Sequence, residues 1–284
     1  MPSVAIVTVS YRSDDHLESF LASVPTASSR AMPVVVVADN APGQGDAISI
    51  CARHGAVHEP MTRNLGYGGA VNAAVETLRE RPDWVLVSNP DVILSPGCLD
   101  VMVDAATSDP RIGSIGPLIR NADGSVYPSA RLVPSIRVGI GHAIFADIWP
   151  TNPWTARYQA QSHDANASRD AGWLSGACVL VRTTAFEQIG GFDDGFFMYF
   201  EDVDLGYRLG KAGWRNVYEP KAEVLHTGAH STTGASSAPM IRAHHRSAAT
   251  FIERKYPGRV LWPVRAVLLV GLRVRSFVVE RRSH

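Results

Sequence analysis

Three carboxylates in four positions, Glu201, Asp202 and Asp204, follow directly on the apolar and aromatic run Phe196-Phe197-Met198-Tyr199-Phe200. A carboxylate set against aromatic surface holds its proton more tightly than one in water, which suits a general base acting on a bound hydroxyl. Asp204 has a plainer explanation. It falls in the first turn of an expected helix, "DVDLGYRLGKAG", and is spaced to pair with Arg208 four residues on. That explanation does not cover Glu201 and Asp202. Asp91, in "SNPDV", stands just past an apolar run. An Asp there can form a turn, or it can bind a divalent cation such as Mg²⁺ or Mn²⁺, which takes one or two carboxylates beside substrate phosphates. His226, in "EVLHTGAHST", ends another apolar stretch and is the candidate second metal ligand; a lone His is more often structural, and His230 is weaker still. Asp39 ends "VVVVADN", where it can cap a turn or hydrogen-bond a nucleotide's base or ribose.

Gly66, Gly68 and Gly69, in "RNLGYGGAVN", precede a helical pattern. Glycines let backbone approach a ligand closely, and a helix N-terminus favours phosphate. The stretch lacks the Gly-Lys-Ser/Thr ending of a Walker A loop. It also does not follow the first strand, as a dinucleotide fingerprint would.

These residues need a scaffold that carries them to one edge. "VAIVTVSY" (4–11), "PVVVVADN" (33–40) and "DWVLVSNPDV" (83–92) are apolar, β-branched runs that suit strands buried on both faces. Between them, residues 16–24, 45–55 and 68–80 carry helical spacing, the second closed by Gly55. Alternation of strand and helix predicts an α/β fold with a doubly wound, mostly parallel sheet, whose ligands sit beyond the carboxyl ends of the strands. From about 120 to 170 the periodicity weakens and Pro, Gly, Asn and Ser are frequent, which suits a surface excursion over a site. Order returns with a strand and short helix in "WLSGACVLVRTTAFEQIGGF" (173–192).

The chain has 284 residues, 45% hydrophobic and 19% charged, which excludes a disordered protein and suffices for one large α/β domain. Net charge is zero, but it is unevenly spread: from Arg254 onward eight Lys and Arg face one acid, Glu280. A basic tail of that kind suits an anionic surface. The cysteines, Cys51, Cys98 and Cys178, are odd in number and scattered, so neither a disulfide framework nor a zinc site is expected. The N-terminus lacks a basic n-region and reads as a strand rather than a signal peptide, and no run of about 18 apolar residues marks a membrane span.

Taken in order, "VTVSYRS", "VVVVADN", "RNLGYGGAVN", "SNPDV", "WLSGACVLVR", "GGFDDGFFMYFEDVDLGYRLGKAGW" and "VLHTGAHST" resemble the family 2 glycosyltransferases of the inverting GT-A class. Within that family they resemble the bacterial, especially actinobacterial, rhamnosyltransferases that act on N-acetylglucosaminyl-diphosphoryl-polyprenol in cell-wall linker synthesis. The resemblance covers roughly residues 4 to 232 and implies roles. Tyr11 and Asp39 would hold the nucleoside. Arg63, Asn64, Gly66, Gly68, Gly69 and Asn89 would lie along the donor nucleotide. Asp91 and His226 would bind Mg²⁺ or Mn²⁺, with Asn89 standing where the family often has a first Asp. Trp173, Gly176 and Ala177 would border the acceptor and donor sugars. Asp202 would be the base, with Glu201 beside it. The donor implied is dTDP-L-rhamnose; a UDP- or GDP-sugar, or a catalytically silent nucleotide-sugar-binding protein, are the alternatives.

Residues 1–232 are therefore expected to form the transferase domain, with a nucleotide-sugar half to about 120 and an acceptor half beyond it. Residues 233–284 are expected to form a helical, basic, membrane-associating segment. On a helical wheel Val264, Val267, Val270, Val274, Phe277 and Val278 gather on one side, and Arg265, Arg273, Arg275 and Glu280 on the other. That pattern places the chain peripherally on the cytoplasmic face of the plasma membrane, with docking on the body or a homo-oligomer contact as the other uses of such a helix. Nucleic acid is not an expected partner.

Overall fold

The central parallel strands are apolar on successive residues because they are covered on both faces. In β1 (Val4–Ser10) Ile6 points into one core, with Leu17, Phe20 and Val24 of helix α1 (Asp14–Ala27), while Val7 and Val9 point into a second. The second core takes Ala70, Val71 and Ala74 from α3 (Gly66–Glu76). Full burial of a side chain such as Ile6, Leu17 or Phe20 contributes about 1.5–3 kcal/mol. The computed structural model describes residues 2–134, 165–228 and 238–270. Expectations for residues 135–164, for His230 and for the tail beyond 270 (Arg273, Val274, Arg275, Phe277, Val278 and Glu280) fall outside the described residues.

The main sheet runs β3-β2-β1-β4-β11-β6-β12-β5. β1, β2 (Val34–Asp39), β3 (Val57–Pro60) and β4 (Trp84–Ser88) are parallel. β11 (Cys178–Arg182) lies antiparallel between β4 and β6 (Ile112–Asn121). β12 (Arg215–His226) runs parallel to β6, and β5 (Val92–Leu94) antiparallel to β12. The short β7 (Val126–Tyr127) and β9 (Arg169–Ala171) extend β6 and β12, while β8 (Ala130–Arg131) and β10 (Trp173–Leu174) form a separate pair. Helices α2 (Ala47–His54), α4 (Cys98–Thr107), α5 (Thr183–Gln188) and α6 (Glu201–Lys211) complete the layers. The three cysteines are free and buried.

Two expected strands are each broken in the middle. The run 83–92 stops at Ser88 and resumes at Val92, leaving Asn89-Pro90-Asp91 in the turn. The run in 173–182 is split at Ser175-Gly176-Ala177. Helix α7 (Ala238–Lys255) begins beyond residue 232 yet packs on the body. Its Phe251 is 2% exposed, clustered with Trp173, Phe196 and Val203. Among the described residues no helix is long and apolar enough to cross a membrane.

Candidate active site

The sheet order gathers the broken strands at one edge. Ser10 pairs with Asp39, and Cys178 pairs with Ser88, so the carboxyl ends of β1, β2 and β4 meet the amino end of β11. The Asn89 N–H donates to the Ala177 carbonyl at 2.9 Å, which locks the two breaks together. His226, at the end of β12, pairs with Val92, so the next residue closes on the turn: Thr227 donates from its N–H (2.8 Å) and its hydroxyl (3.0 Å) to the Asp91 carbonyl.

Asp91 Oδ1 and His226 Nε2 thereby come within 3.1 Å. Neither atom has an aligned hydrogen-bond partner, and nor does His226 Nδ1. Buried polar atoms are normally satisfied, so orphaned O and N donors converging in one place fit a hard or borderline divalent cation. Burial opposes ionisation of Asp91, but the imidazole beside it outweighs this and holds the carboxyl below its ordinary value. It is therefore a carboxylate at neutral pH. Among the described residues no third His, Cys, Asp or Glu joins the pair. A Cβ on Gly228 would stand 2.0 Å from Asp91 Oδ2. Gly228→Ala should therefore displace the Asp91 side chain while leaving the sheet intact. The expected outcome is turnover reduced about 10–100-fold, the range seen when support of a metal ligand is lost, with a melting temperature close to wild type. Recovery at raised Mn²⁺ in a metal titration would confirm the cause.

Asp202, the candidate base, lies on the other break. Asp202 is half-buried in the first turn of α6; its Oδ2 accepts the Gly176 N–H at 3.1 Å and its Oδ1 the Val203 N–H at 2.8 Å. Burial nevertheless raises its proton affinity, against those two hydrogen bonds. Glu201 is buried, its Oε2 has no partner, and its pKa is pushed up to about 8, first by burial and then by the charge of Asp202. Where two carboxyls interact, the one that receives N–H donors ionises first. Asp202 is thus the carboxylate of the pair and Glu201 its neutral neighbour. Asp204 forms the expected pair with Arg208, at 2.5 Å. Tyr199 and Phe200 precede the helix with φ of 68° each, a left-handed conformation costly for bulky residues. It is held by α7: Ser247 Oγ donates to the Met198 carbonyl at 2.8 Å, and the His244 ring lies 5.4 Å from both aromatic rings.

Tyr67 joins the two halves. Its hydroxyl donates to the Gly176 carbonyl at 2.7 Å. Burial, and then the nearby acidic groups Glu201, Asp202 and Asp91, hold its phenol well above the ordinary value, so it stays a neutral donor. Tyr67 and Asn40 are candidate site positions that the residue types alone did not single out, although both lie inside stretches that carry the resemblance. Asn40 is buried and clamps the glycine loop, donating to the Gly66 carbonyl and accepting the Leu65 N–H, each at 3.0 Å.

The nucleoside candidates lie together at the β1–β2 end. Tyr11 is half exposed. Asp39 is buried, with Oδ1 accepting the Ala41 N–H at 3.0 Å and Oδ2 3.0 Å from His58 Nε2. The glycine loop has a packing cause. Gly66 has φ 75°, and a Cβ there would lie 2.1 Å from the Phe197 carbonyl oxygen; a Cβ on Gly68 would press on Phe192. Arg63, Asn64 and Gly69 line a separate cleft of about 890 Å³ between α3 and residues 186–197, bordered by none of Asp39, Asp91, Asp202 or His226. Asn64 uses its side chain within its own loop, accepting the Gly66 N–H at 2.9 Å. Trp173 packs on Gly206 of α6 and donates Nε1–H to the Leu132 carbonyl at 3.1 Å.

The profile of the glycosyltransferase-like family 2 matches residues 2–250. An N-acetylglucosaminyl-diphospho-decaprenol L-rhamnosyltransferase of Mycobacterium tuberculosis is 46% identical over 98% of this chain and 93% of its own. The rhamnosyltransferase WbbL of Escherichia coli is 27% identical over 89% of this chain and 93% of its own. Among solved structures, a mannosyltransferase of Pyrobaculum calidifontis in complex with GDP-Man and Mn²⁺ superposes with a TM-score of 0.59 at 13% identity, over 99% of this chain and 73% of that one. GalNAc-T7 with UDP, GalNAc and Mn²⁺ gives 0.60 at 14% identity, over 87% of this chain and 47% of that one. These neighbours share the GT-A type of fold.

Proposed function

We propose that this chain, which belongs to the glycosyltransferase-like family 2, is an inverting transferase that moves L-rhamnose from dTDP-L-rhamnose to a hydroxyl of N-acetylglucosaminyl-diphosphoryl-polyprenol. The near full-length 46% identity to the mycobacterial rhamnosyltransferase carries the substrate assignment. The chemistry rests on an ionised Asp202 facing an Asp91–His226 pair across Tyr67. Asp202 takes the proton of the acceptor hydroxyl as that oxygen forms its bond to the anomeric carbon. The bond from that carbon to the nucleoside diphosphate breaks on the opposite face, and its electron pair leaves with the diphosphate. The Gly176 and Val203 N–H groups hold the carboxylate in place for this. Tyr67, fixed on the Gly176 carbonyl, keeps that loop at the floor of the site. Asp39 and Tyr11 hold the nucleoside. Asp91 and His226 would hold a divalent cation, Mg²⁺ or Mn²⁺, which when bound neutralises charge on the departing diphosphate.

The test is acceptor-dependent release of nucleoside diphosphate from dTDP-rhamnose, UDP-galactose and GDP-mannose, each with a synthetic N-acetylglucosaminyl-diphosphoryl lipid. Release from dTDP-rhamnose alone is expected. Release from either other donor would overturn the rhamnose assignment.

The enzyme works peripherally on the cytoplasmic face of the plasma membrane. Residues 262–270 are helical, and Val260, Trp262, Val267 and Val270 expose 56–90% of their surface, which supports a lipid-facing tail beside its basic residues. Deleting residues 260–284 should abolish co-sedimentation with anionic phosphatidylglycerol vesicles and leave α7 in place. Undiminished sedimentation would assign the tail to another partner.

A further inference from the structure

Arg131 stands close enough to Asp202 for its charge to act on that carboxyl. It ends the two-residue strand β8, directly opposite Trp173 in the register. Its guanidinium lies 5.6 Å from the Trp173 ring centre and 5.8 Å from that of Tyr127. Nε–H donates to the Pro128 carbonyl at 2.8 Å, which fixes the plane of the group. Among the described residues no carboxylate forms an ion pair with it. Tyr127 in turn stands edge-on to His226, ring centres 6.1 Å apart, and the charge of Arg131 favours the ionised form of Asp202. The guanidinium therefore lies near Asp202 and, through Tyr127, near His226, held by stacking rather than by an acid.

A stacked, oriented and unneutralised guanidinium is the fork that binds phosphate oxygens bidentately. The mouth otherwise carries Asp91 and Asp202, whose field repels a polyanion. Yet the reaction proposed above, on which this inference rests, brings two diphosphates there, one leaving with the nucleoside and one joining the acceptor sugar to its lipid. A cation on Asp91 and His226 serves one of them.

We propose that Arg131, braced by Tyr127 and Trp173, is a diphosphate-binding residue of this site. Arg131→Met keeps the stem over both rings and removes the charge; Arg131→Lys keeps the charge without the fork. Inorganic pyrophosphate, titrated calorimetrically in excess Mg²⁺, should bind Arg131→Met at least tenfold more weakly than wild type, with Arg131→Lys between them. In turnover, a tenfold rise in KM for the diphosphoryl-lipid acceptor would assign the subsite to the acceptor. The same rise for the nucleotide sugar, or a fall in kcat with both KM values unchanged, would assign it to the leaving group. If pyrophosphate affinity and both KM values stay within twofold while only the acid limb of the kcat/KM profile moves to higher pH, Arg131 merely tunes Asp202 and the proposal fails. Circular dichroism of each variant confirms the fold. The pyrophosphate titration needs no donor, so a protein that binds pyrophosphate through Arg131 but transfers no sugar would overturn the transferase assignment alone.

Discussion

Replacing Asp202 by Asn should lower acceptor-dependent turnover by about 10²–10⁴-fold, or ~3–5 kcal/mol of activation free energy. The amide is nearly isosteric. It still accepts one of the two N–H groups, from Gly176 or Val203, that the carboxylate accepts together. The fold should survive, because Glu201 beside it is neutral at working pH and α7 braces the preceding turn independently. Nucleotide affinity should stay within about threefold by calorimetry, since Asp39, Tyr11 and the Asp91–His226 pair are untouched. In the wild type, burial raises the proton affinity of Asp202, so kcat/KM should fall on acidification at a pH above the ordinary Asp range. The residual rate of Asp202→Asn should lack that limb. Wild-type turnover in Asp202→Asn would remove Asp202 as the base, and an unchanged acid limb would assign the limb to another group.

The parts of this site that were legible in the sequence are those set by local pattern. Asp39 and Asp91 stand after apolar runs, and a buried strand that turns polar must be ending at an edge. Glu201 and Asp202 could be read because their aromatic neighbours are adjacent in the chain. What could not be read depends on pairings distant in sequence. The strand β6 is central and almost wholly buried, yet its run is interrupted by Gly113, Ser114, Gly116 and Pro117. The side chains of Trp214 and Leu174 lie over those glycines, so smallness there reflects what packs on the strand and not a loop. Likewise the insertion of β11 antiparallel to β4 decides that Gly176 reaches Asp202 and that Ala177 meets Asn89. Arg131 was invisible because one of its two stacking partners, Trp173, belongs to a distant segment. The brace from α7 was hidden for the same reason: residues 233–284 read as one membrane-associating segment until Phe251 is seen buried against Phe196 and Val203.

Glu201→Gln should make the protein more stable, and increasingly so as the pH rises. The folded state holds the Glu201 carboxyl up to about 8, by burial and by the charge of Asp202, against 4.5 for the free side chain. Below about 4.5 both folded and unfolded chains carry the proton, and this group leaves stability independent of pH. Between about 4.5 and about 8 the unfolded chain ionises while the folded chain does not, so folding takes up a proton and each pH unit costs the wild type about 1.4 kcal/mol. Above about 8 the folded group ionises too and the loss levels off. Summed over the window, the deficit is on the order of 3–5 kcal/mol. Gln carries no titrating proton, and its amide also offers donors in a pocket where Glu201 Oε2 has no partner. Denaturant unfolding at pH 5, 6.5 and 8 should therefore give wild-type and Glu201→Gln curves that diverge steadily, with the variant ahead at pH 8. Asp202 is raised in the same direction and adds to the wild-type slope, so some slope should persist in the variant. Parallel curves across that range would mean that Glu201 is already ionised at neutral pH. The pair would then carry two negative charges at neutral pH, not the single one assigned to Asp202.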